Sequence, residues 1–318
     1  MNAPTLPAAV IVCEGAERDD WLSKRKIGAS TIAAVLGVEG AYGSARTVYL
    51  DLIGEGEPFK ETIYTDSGNW YEQRAAERFS HLSGIETIQP PPITMYASKE
   101  LPIATASPDR LTADGKGWVE IKWVGSHRTS EWAERPPEHY VAQCKWGLAV
   151  SGLEVAYLFA EIGGQNPRWF EIENDPLWND MAFEKAQAFW KLVESRTPPE
   201  IDGSEATKRA INAQFDEVVH EAIEGGADLA VAVAALIDAQ RIAKQAASEL
   251  NLAENTVKLI LRENEIGTVE GQTFVTWKEQ GRRSLDLDAV REFLGQRVVE
   301  FEKDAAFRVL RVAKGAKE

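Results

Sequence analysis

The feature that most constrains the fold of this chain is a pair of short polar motifs joined by a turn. The first motif is Ser107-Pro108-Asp109 and the second is Glu120-Ile121-Lys122, with Asp114-Gly115 between them. Asp-Gly is a favoured hairpin turn, so the motifs are expected on neighbouring strands at 105–112 and 117–124. The sequence therefore predicts a strand pair that carries two carboxylates and one lysine.

The second strand of this pair has two chemically different faces. Val119, Ile121 and Trp123 alternate with Glu120 and Lys122, which is the two-residue period of a strand. One face is apolar, and the other presents a carboxylate beside an ammonium group. Charged side chains on so hydrophobic a strand are seldom buried unless they are paired or bind a metal. The simpler alternative, a solvated outer face of an edge hairpin, is tested by the rest of the chain.

Composition describes an ordinary globular protein with room for two domains. The chain has 318 residues, of which 44% are hydrophobic and 27% charged. Its two cysteines, Cys13 and Cys144, form no disulfide framework, which fits a reducing cytoplasm. No signal peptide or membrane span is expected at the amino terminus. The net charge of −15 argues against nonspecific coating of nucleic acid, so any DNA path must be a local basic stripe.

Hydrophobic periodicity divides the chain into two regions at Thr197-Pro198-Pro199. Residues 1–203 read as one α/β domain, with helices predicted at 45–53, 67–82, 136–152 and 177–193 and strands at 155–162 and 168–172. Residues 204–318 read as a carboxy-terminal extension. It is predicted to hold a helical hairpin of 206–224 and 227–250, a short helix at 254–263 and a β-hairpin at 266–270 and 273–278.

A magnesium nuclease needs hard oxygen ligands that leave positions open for water and phosphate. Asp109 and Glu120 are the primary candidates, with the carbonyl of Ile121 as a third ligand. Lys122 can orient or help deprotonate the attacking water, or stabilise charge on the phosphoryl oxygens. Glu72 is a further acid at the edge of the apolar stripe of its helix. Its alternative is a first-turn glutamate favoured by the helix dipole.

Other polar residues suit contacts with the substrate. Arg25 and Ser30 place a guanidinium and a hydroxyl beside a helix amino terminus, which suits a phosphate group. Ser107 is a second hydroxyl donor for that phosphate, and Gln143 is a hydrogen-bonding partner for the substrate or the water. Each residue also has a plain structural alternative: a solvated arginine, a helix cap, a turn serine and an exposed helix glutamine. No phosphate-loop or serine-hydrolase motif is present.

In their order and spacing, these residues resemble the YqaJ-like viral recombinases, which group with phage lambda exonuclease in the PD-(D/E)XK nuclease superfamily. The resemblance covers residues 20–200 and is carried by Arg25…Ser30, Gly68-x-x-x-Glu72, Ser107-Pro108-Asp109, Glu120-x-Lys122, Gln143 and Phe189-Trp190. It implies an α/β nuclease core, a mixed central sheet flanked by helices, followed by the helical-hairpin and small β extension.

The resemblance also implies roles for single residues. It places Glu72, Asp109 and Glu120 at the metal, makes Lys122 the catalytic lysine, and puts Gln143 in the helix motif after the catalytic strand. Arg25, Ser30 and Ser107 would hold a terminal 5′-phosphate. Many relatives have glycine after the Pro-Asp pair, where this chain has Arg110, whose side chain is expected to touch DNA or to alter the turn.

The function implied is a Mg²⁺-dependent 5′-to-3′ exonuclease on linear double-stranded DNA, with two ions per site and Mn²⁺ as a substitute. It would leave 3′ single-stranded tails for phage-type recombination, act as a ring-shaped oligomer such as a trimer, and work with a single-strand-annealing protein in the bacterial cytoplasm. Two alternatives stay open: a structure-specific or restriction-type endonuclease, and a noncatalytic module that binds DNA ends or a recombination partner.

Overall fold

The computed structural model describes residues 3–15, 18–58, 62–303 and 308–313, and it separates into two compact units, residues 1–218 and 219–318. The strands of the first unit are β1 (Ala9–Cys13), β2 (Ile27–Gly28), β3 (Thr87–Ile88), β4 (Met95–Ser98), β5 (Ala104–Ala106), β6 (Arg110–Thr112), β7 (Gly117–Val124), β8 (Val155–Ile162) and β9 (Asn166–Glu173). Its helices are α1 (Arg18–Lys24), α2 (Ala29–Val35), α3 (Ala45–Ile53), α4 (Ile63–Ser83), α5 (Glu138–Ser151), α6 (Pro176–Glu194) and α7 (Glu205–Gln214), with a 3-10 helix at Ser126–Trp132.

The strands of the first unit form two mixed sheets. The larger sheet has the order β3-β6-β7-β8-β9, in which β7 and β8 are parallel and the other pairs are antiparallel. The smaller sheet has the order β1-β4-β5-β2, in which β2 and β5 are parallel. The predicted α/β class is confirmed, although the strands form two mixed sheets rather than the one central sheet that was expected.

The predicted continuous strand at 105–112 is wrong in one respect that matters for the site. The chain leaves the smaller sheet at the end of β5 and enters the larger sheet at the start of β6, with Ser107-Pro108-Asp109 between them. Pro108 has no N–H to give to a ladder, so the strand pairing is interrupted there. The interruption leaves Asp109 at the junction of the two sheets.

The two-faced character predicted for β7 is confirmed. On one face, Val119 and Ile121 are buried against the α4 residues Ala75, Ala76 and Phe79. On the other face, Trp118 belongs to a second core that includes residues of α5. In the sheet, β7 is an interior strand, with β6 on one side and β8 on the other. Because both of its faces are also covered, Glu120 is buried rather than solvated.

Helix α7 belongs to the first unit, although it follows the sequence boundary predicted at 203/204. The hydroxyl of Thr207 donates a hydrogen bond of 2.8 Å to the hydroxyl of Ser44, and both side chains are buried. Arg46 also donates to the side-chain oxygen of Gln214. The compact unit therefore extends to Val218. A functional division at 203/204 stays a prediction.

The second unit is built around one long helix. It contains α8 (Gly226–Leu261), a β-hairpin of β10 (Ile266–Val269) and β11 (Gln272–Thr276), α9 (Leu287–Leu294) and a 3-10 helix at Gly295–Glu300. The predicted β-hairpin is confirmed. The helices predicted at 227–250 and 254–263 are one uninterrupted helix, because no glycine or proline stands between Gly226 and Leu261. No helix in the described part of the chain is long and apolar enough to cross a membrane.

Close packing of α5 on β7 generates a testable prediction. A Cβ added at Gly147 would lie 2.7 Å from Cε2 of the buried Trp118 ring, so Gly147→Ala forces the helix and the strand apart. We expect a loss of about 1–3 kcal/mol in the free energy of unfolding, measured by urea denaturation.

The matched control is Gly68→Ala in α4, where an added Cβ meets nothing within 4 Å. Alanine is the better helix former by about 1 kcal/mol, so this variant should be at least as stable as the native chain. Equal urea midpoints for the two variants would show that α5 does not pack closely against Trp118 at Gly147.

Candidate active site

The junction between the two sheets places Asp109 against the middle of β7. Its Oδ2 accepts a hydrogen bond of 2.7 Å from the backbone N–H of Ile121. In the antiparallel pairing of β6 with β7, Arg110 stands opposite Val119, so the ladder brings Asp109 level with Glu120. The two carboxylates predicted to share a site therefore lie at adjacent positions of neighbouring segments.

The carboxylate of Glu120 is buried and is held by two side chains. Lys122 forms an ion pair with Oε1 at 2.7 Å, and the side-chain amide of Gln143, on α5, donates to the same oxygen. The indole N–H of Trp118 lies 3.5 Å from Oε2. Glu120, Lys122 and Gln143 are thus brought together, as the sequence analysis proposed for residues of one site.

Burial and, after it, the charges of neighbouring groups shift the pKa values of Asp109 and Lys122. Burial, and then the carboxylate of Glu120, raise the pKa of Asp109 well above its usual range, while Lys122 acts in the opposite direction. Burial alone would lower the pKa of Lys122, but the carboxylates of Glu120 and Asp109 outweigh it and raise that pKa. The arrangement therefore favours added positive charge beside Asp109 and keeps Lys122 protonated.

The side chain of Arg110 lies against α4. Arg110 is only 3% exposed, and its guanidinium donates to Oε1 of Glu72 and to Oε1 of Gln73, each at 2.7 Å. It also donates to the carbonyl oxygen of Asp109. Three partners thus occupy its guanidinium, and Arg110 links α4 to the segment that carries Asp109. Glu72 is thereby held beside Asp109. Arg110 also lines the cavity described below, and a contact with DNA stays a prediction.

Most of the residues predicted for phosphate or DNA binding line one cavity together with two of the carboxylates. The cavity has a volume of about 1070 Å³, and Arg25, Ser107, Glu72 and Asp109 are among its lining residues. Ser30 joins through Arg25, whose guanidinium donates to the Ser30 hydroxyl at 2.6 Å. Burial lowers the pKa of Arg25, although Asp51 opposes that shift.

The ring of Trp21 fixes the same guanidinium, which lies 5.1 Å from the ring centroid. Gly28 permits this approach, since a Cβ there would lie 3.3 Å from Nε of Arg25. Arg25 is therefore a positioned cation rather than a solvated one. The exposed side chain of Ser107 lies in the same cavity, where a bound anion can reach both residues.

The donor set fits a divalent cation. The carboxylates of Glu72 and Glu120 both act to raise the pKa of Asp109, so the three groups sense one another's charge, and hard oxygen donors are those that Mg²⁺ prefers. Among the described residues, no three His, Cys, Asp or Glu side chains are gathered closely enough to enclose an ion. The side chains of Glu72 and Glu120 are instead turned towards Arg110 and Lys122. The peptide of Ile121 lies at this position, and a ligand role for its carbonyl stays a prediction.

Two contacts of the site were not predicted from the sequence. The ammonium of Lys122 lies 5.0 Å from the centroid of the Tyr140 ring, which places an aromatic face beside the lysine. Gln73 shares Arg110 with Glu72. Tyr140 stands three residues before Gln143 on α5, and that helical spacing was the available signal. The contacts of Arg110 with α4 could not be predicted from a local sequence pattern, because they join residues that are far apart in the sequence.

The ion pair of Arg110 with Glu72 generates a prediction for stability. Arg110→Gln should lower the free energy of unfolding by roughly 3 kcal/mol, because it leaves the carboxylate of Glu72 without its buried cation. The measurement is urea denaturation in EDTA. Arg74→Gln is the control, since Arg74 pairs with Glu77 on the same helix but is largely exposed, and its loss should cost less than about 1 kcal/mol. Similar losses in the two variants would contradict the role given to Arg110.

Comparisons with known proteins bear on this arrangement. Residues 20–154 match the YqaJ-like viral recombinase domain, so the resemblance recognised in the sequence motifs is confirmed. The chain is 27% identical over 304 residues to the uncharacterized protein YqaJ of Bacillus subtilis (strain 168), covering 92% of each chain.

Two solved structures are also similar to this chain. One is an alkaline exonuclease from Laribacter hongkongensis, with 18% identity, a TM-score of 0.48, and coverage of 56% of this chain and 94% of that one. The other is a phage related exonuclease from Haemophilus somnus 129PT, with 14% identity, a TM-score of 0.40, and coverage of 54% and 96%.

Proposed function

We propose, for a chain whose residues 20–154 match the YqaJ-like viral recombinase domain, that it is a metal-dependent deoxyribonuclease that digests linear double-stranded DNA from a 5′ end. The product would be duplex DNA with 3′ single-stranded tails, ready for recombination. The proposal places the reaction at Asp109, Glu120 and Lys122 and the DNA end near Arg25. The setting proposed is the cytoplasm of a bacterium or of a phage-infected bacterial cell.

The observation that carries the proposal is the meeting of Asp109, Glu120 and Lys122 at one strand junction. Asp109 is anchored by the N–H of Ile121, and Glu120 by Lys122 and Gln143. Two carboxylates and an ammonium at neighbouring backbone positions are the groups that phosphodiester hydrolysis needs. Burial and the nearby carboxylate of Glu120 raise the pKa of Asp109, which means that its ionised form is disfavoured here. A purely structural role gives no reason for placing the two carboxylates so close together.

Each residue has a part that follows from its position. Asp109, Glu120 and Glu72 would hold Mg²⁺, or Mn²⁺ in its place, with two ions proposed per site; when bound, the ions supply positive charge to the scissile phosphate. Lys122 presents an ammonium that can contact the phosphoryl oxygens and orient the attacking water. Gln143 keeps the carboxylate of Glu120 in place.

The end of the DNA would be recognised in the cavity that Arg25 and Asp109 share. Arg25 is fixed by Trp21 and Ser30, so its guanidinium is already oriented for a terminal phosphate. Ser107 adds a hydroxyl in the same cavity. Family resemblance further suggests a ring-shaped oligomer and a single-strand-annealing partner, which we include in the proposal.

Glu120→Gln is the sharpest variant for the chemistry. Glutamine keeps the shape of the side chain but removes the charge, so the fold should persist while Mg²⁺-dependent cleavage falls by about 100-fold or more. The measurement is acid-soluble nucleotide release from linear duplex DNA, with circular dichroism as the check on folding. The matched control is Glu161→Gln, a glutamate that is also buried but pairs with Arg78. Cleavage above about one per cent of the native rate in Glu120→Gln would remove Glu120 from the reaction.

The form of the substrate separates an exonuclease from an endonuclease. Linear duplex DNA should be resected from its 5′ ends, while a covalently closed circle of the same sequence stays intact, because an exonuclease requires an end. Nicks or breaks in the closed circle, abolished by Glu120→Gln, would establish the endonuclease instead.

The 5′ terminus generates a separate prediction for Arg25. Arg25→Ala should reduce the preference for 5′-phosphorylated over 5′-hydroxyl duplexes, because charge-assisted hydrogen bonds to the terminal phosphate are lost. Initial rates on the two ends measure that preference. Lys24→Ala is the matched control, since Lys24 is exposed and pairs with Asp20. If Arg25→Ala leaves the ratio of the two rates unchanged, Arg25 is not part of the end pocket.

A further inference from the structure

Three aromatic side chains beside the candidate active site have no part in the proposed chemistry. We call Trp70 and Tyr71 on α4, together with Trp123 on β7, the aromatic step. The rings of Tyr71 and Trp123 are stacked, with centroids 4.3 Å apart and planes 17° from parallel. Tyr71 is 40% exposed and Trp70 is 80% exposed. A tryptophan so exposed buries little surface within this chain and is unlike a core residue.

The aromatic step adjoins, in sequence, the two elements α4 and β7 that carry charged residues of the site. Tyr71 directly precedes Glu72 on α4, and Trp123 directly follows Lys122 on β7. Since side chains alternate along a strand, Trp123 lies on the α4 side of β7 while Lys122 lies on the other side. The stack is therefore one residue away in the chain from two charged groups of the site, on the α4 side of β7.

The stack is held in place from behind. The turn between β8 and β9 runs beside Trp123, because a Cβ added at Gly164 would lie 3.6 Å from Cη2 of that ring. Arg78 fixes this turn by donating to the carbonyl of Gly164 at 3.1 Å and to Glu161 at 2.8 Å. Trp123 thus lies beside this turn at Cη2 and stacks on Tyr71. A supported ring loses little conformational freedom when a flat ligand stacks on it.

An exposed guanidinium beside the aromatic step favours a ligand that is both flat and anionic. Arg74 lies four residues after Trp70, on the same face of α4; its side chain is 82% exposed and pairs with the exposed Glu77 at 3.1 Å. Exposed aromatic rings next to an exposed cation are typical of surfaces that stack on the bases of single-stranded nucleic acid and contact its backbone. A duplex presents no free base faces along its length. Bases become available only where a strand has been separated, which is where a nuclease that resects one strand works.

We propose that the aromatic step is a stacking subsite for an unpaired nucleobase, next to the phosphate bound at Asp109 and Glu120. The class of ligand, a strand of DNA, rests on the proposed function, whereas the site rests on the placement of Tyr71, Trp123 and Trp70. Stacking on Tyr71 positions the nucleotide and does not require sequence readout, because every base has a flat aromatic face. Its contribution should appear in binding of single-stranded DNA even where cleavage cannot run.

The test compares Tyr71→Phe with Tyr71→Leu. Phenylalanine keeps the ring, while leucine keeps apolar bulk without an aromatic face. The probe is a short single-stranded oligonucleotide carrying 2-aminopurine, whose fluorescence is quenched by stacking, titrated in EDTA. We expect native protein and Tyr71→Phe to quench it, and Tyr71→Leu to bind about tenfold more weakly with the quenching lost. Trp70→Leu should show a smaller loss of affinity.

Trp169→Leu is the matched control, since Trp169 is also about 39% exposed but lies on β9, opposite Phe159. It should bind and quench as the native protein does. Quenching and affinity that are the same in Tyr71→Leu and the native protein would overturn the proposal, and the aromatic step would then be a surface for a protein partner. A loss in Tyr71→Phe equal to that in Tyr71→Leu would also overturn it, because the ring would not be the cause.

The outcome is separable from that of the proposed function. If the nuclease assignment fails, linear duplex DNA stays intact in Mg²⁺ while the difference between Tyr71→Phe and Tyr71→Leu in EDTA is retained. If only the stacking subsite fails, cleavage proceeds and that difference vanishes. Thermal unfolding of each variant in EDTA shows whether the stack on Trp123 also supports the fold.

Discussion

The rest of the site depends on one hydrogen bond, from the backbone N–H of Ile121 to the carboxylate of Asp109. Strand pairing in the smaller sheet ends before Pro108, and pairing in the larger sheet begins with β6. Asp109 therefore lies in the short connection between β5 and β6. Its carboxylate accepts the backbone N–H of β7 that the next residue of a longer β6 would otherwise accept. The fold thereby supplies an anionic group at the middle of an interior strand, beside Glu120.

Such an arrangement stores electrostatic repulsion that the surrounding structure must offset. Lys122 and Gln143 hold Glu120, and Arg110 holds Glu72, so cations and amide donors separate the carboxylates in the absence of an ion. Buried ion pairs of this kind add little net stability but cost much when one partner is lost. Arg110 is a structural link between α4 and β6 as well as a neighbour of the site.

Sequence patterns predicted the parts of the structure that are local. The two-residue period of β7 and the Asp114-Gly115 turn identified the strand, its faces and the residues that meet on it. They did not show that 105–112 is two strands, because sheet membership depends on distant partners. The destination of Arg110 was missed for the same reason: its partners are on α4. The break expected near residue 251 reflected a weak polar interruption that a helix of strong formers passes through.

The central claim, that Asp109 and its neighbours form a cation site, is tested most directly by thermal unfolding with and without Mg²⁺ in the native chain and in Asp109→Asn. Asparagine can still accept the hydrogen bond from Ile121 but carries no charge. We predict that Mg²⁺ stabilises the native protein, by about 2.7 kcal/mol at a hundredfold excess over its dissociation constant, and leaves Asp109→Asn unchanged. In EDTA the variant should be the more stable of the two, since one repelling charge is gone. Equal stabilisation of both proteins by Mg²⁺ would contradict the account.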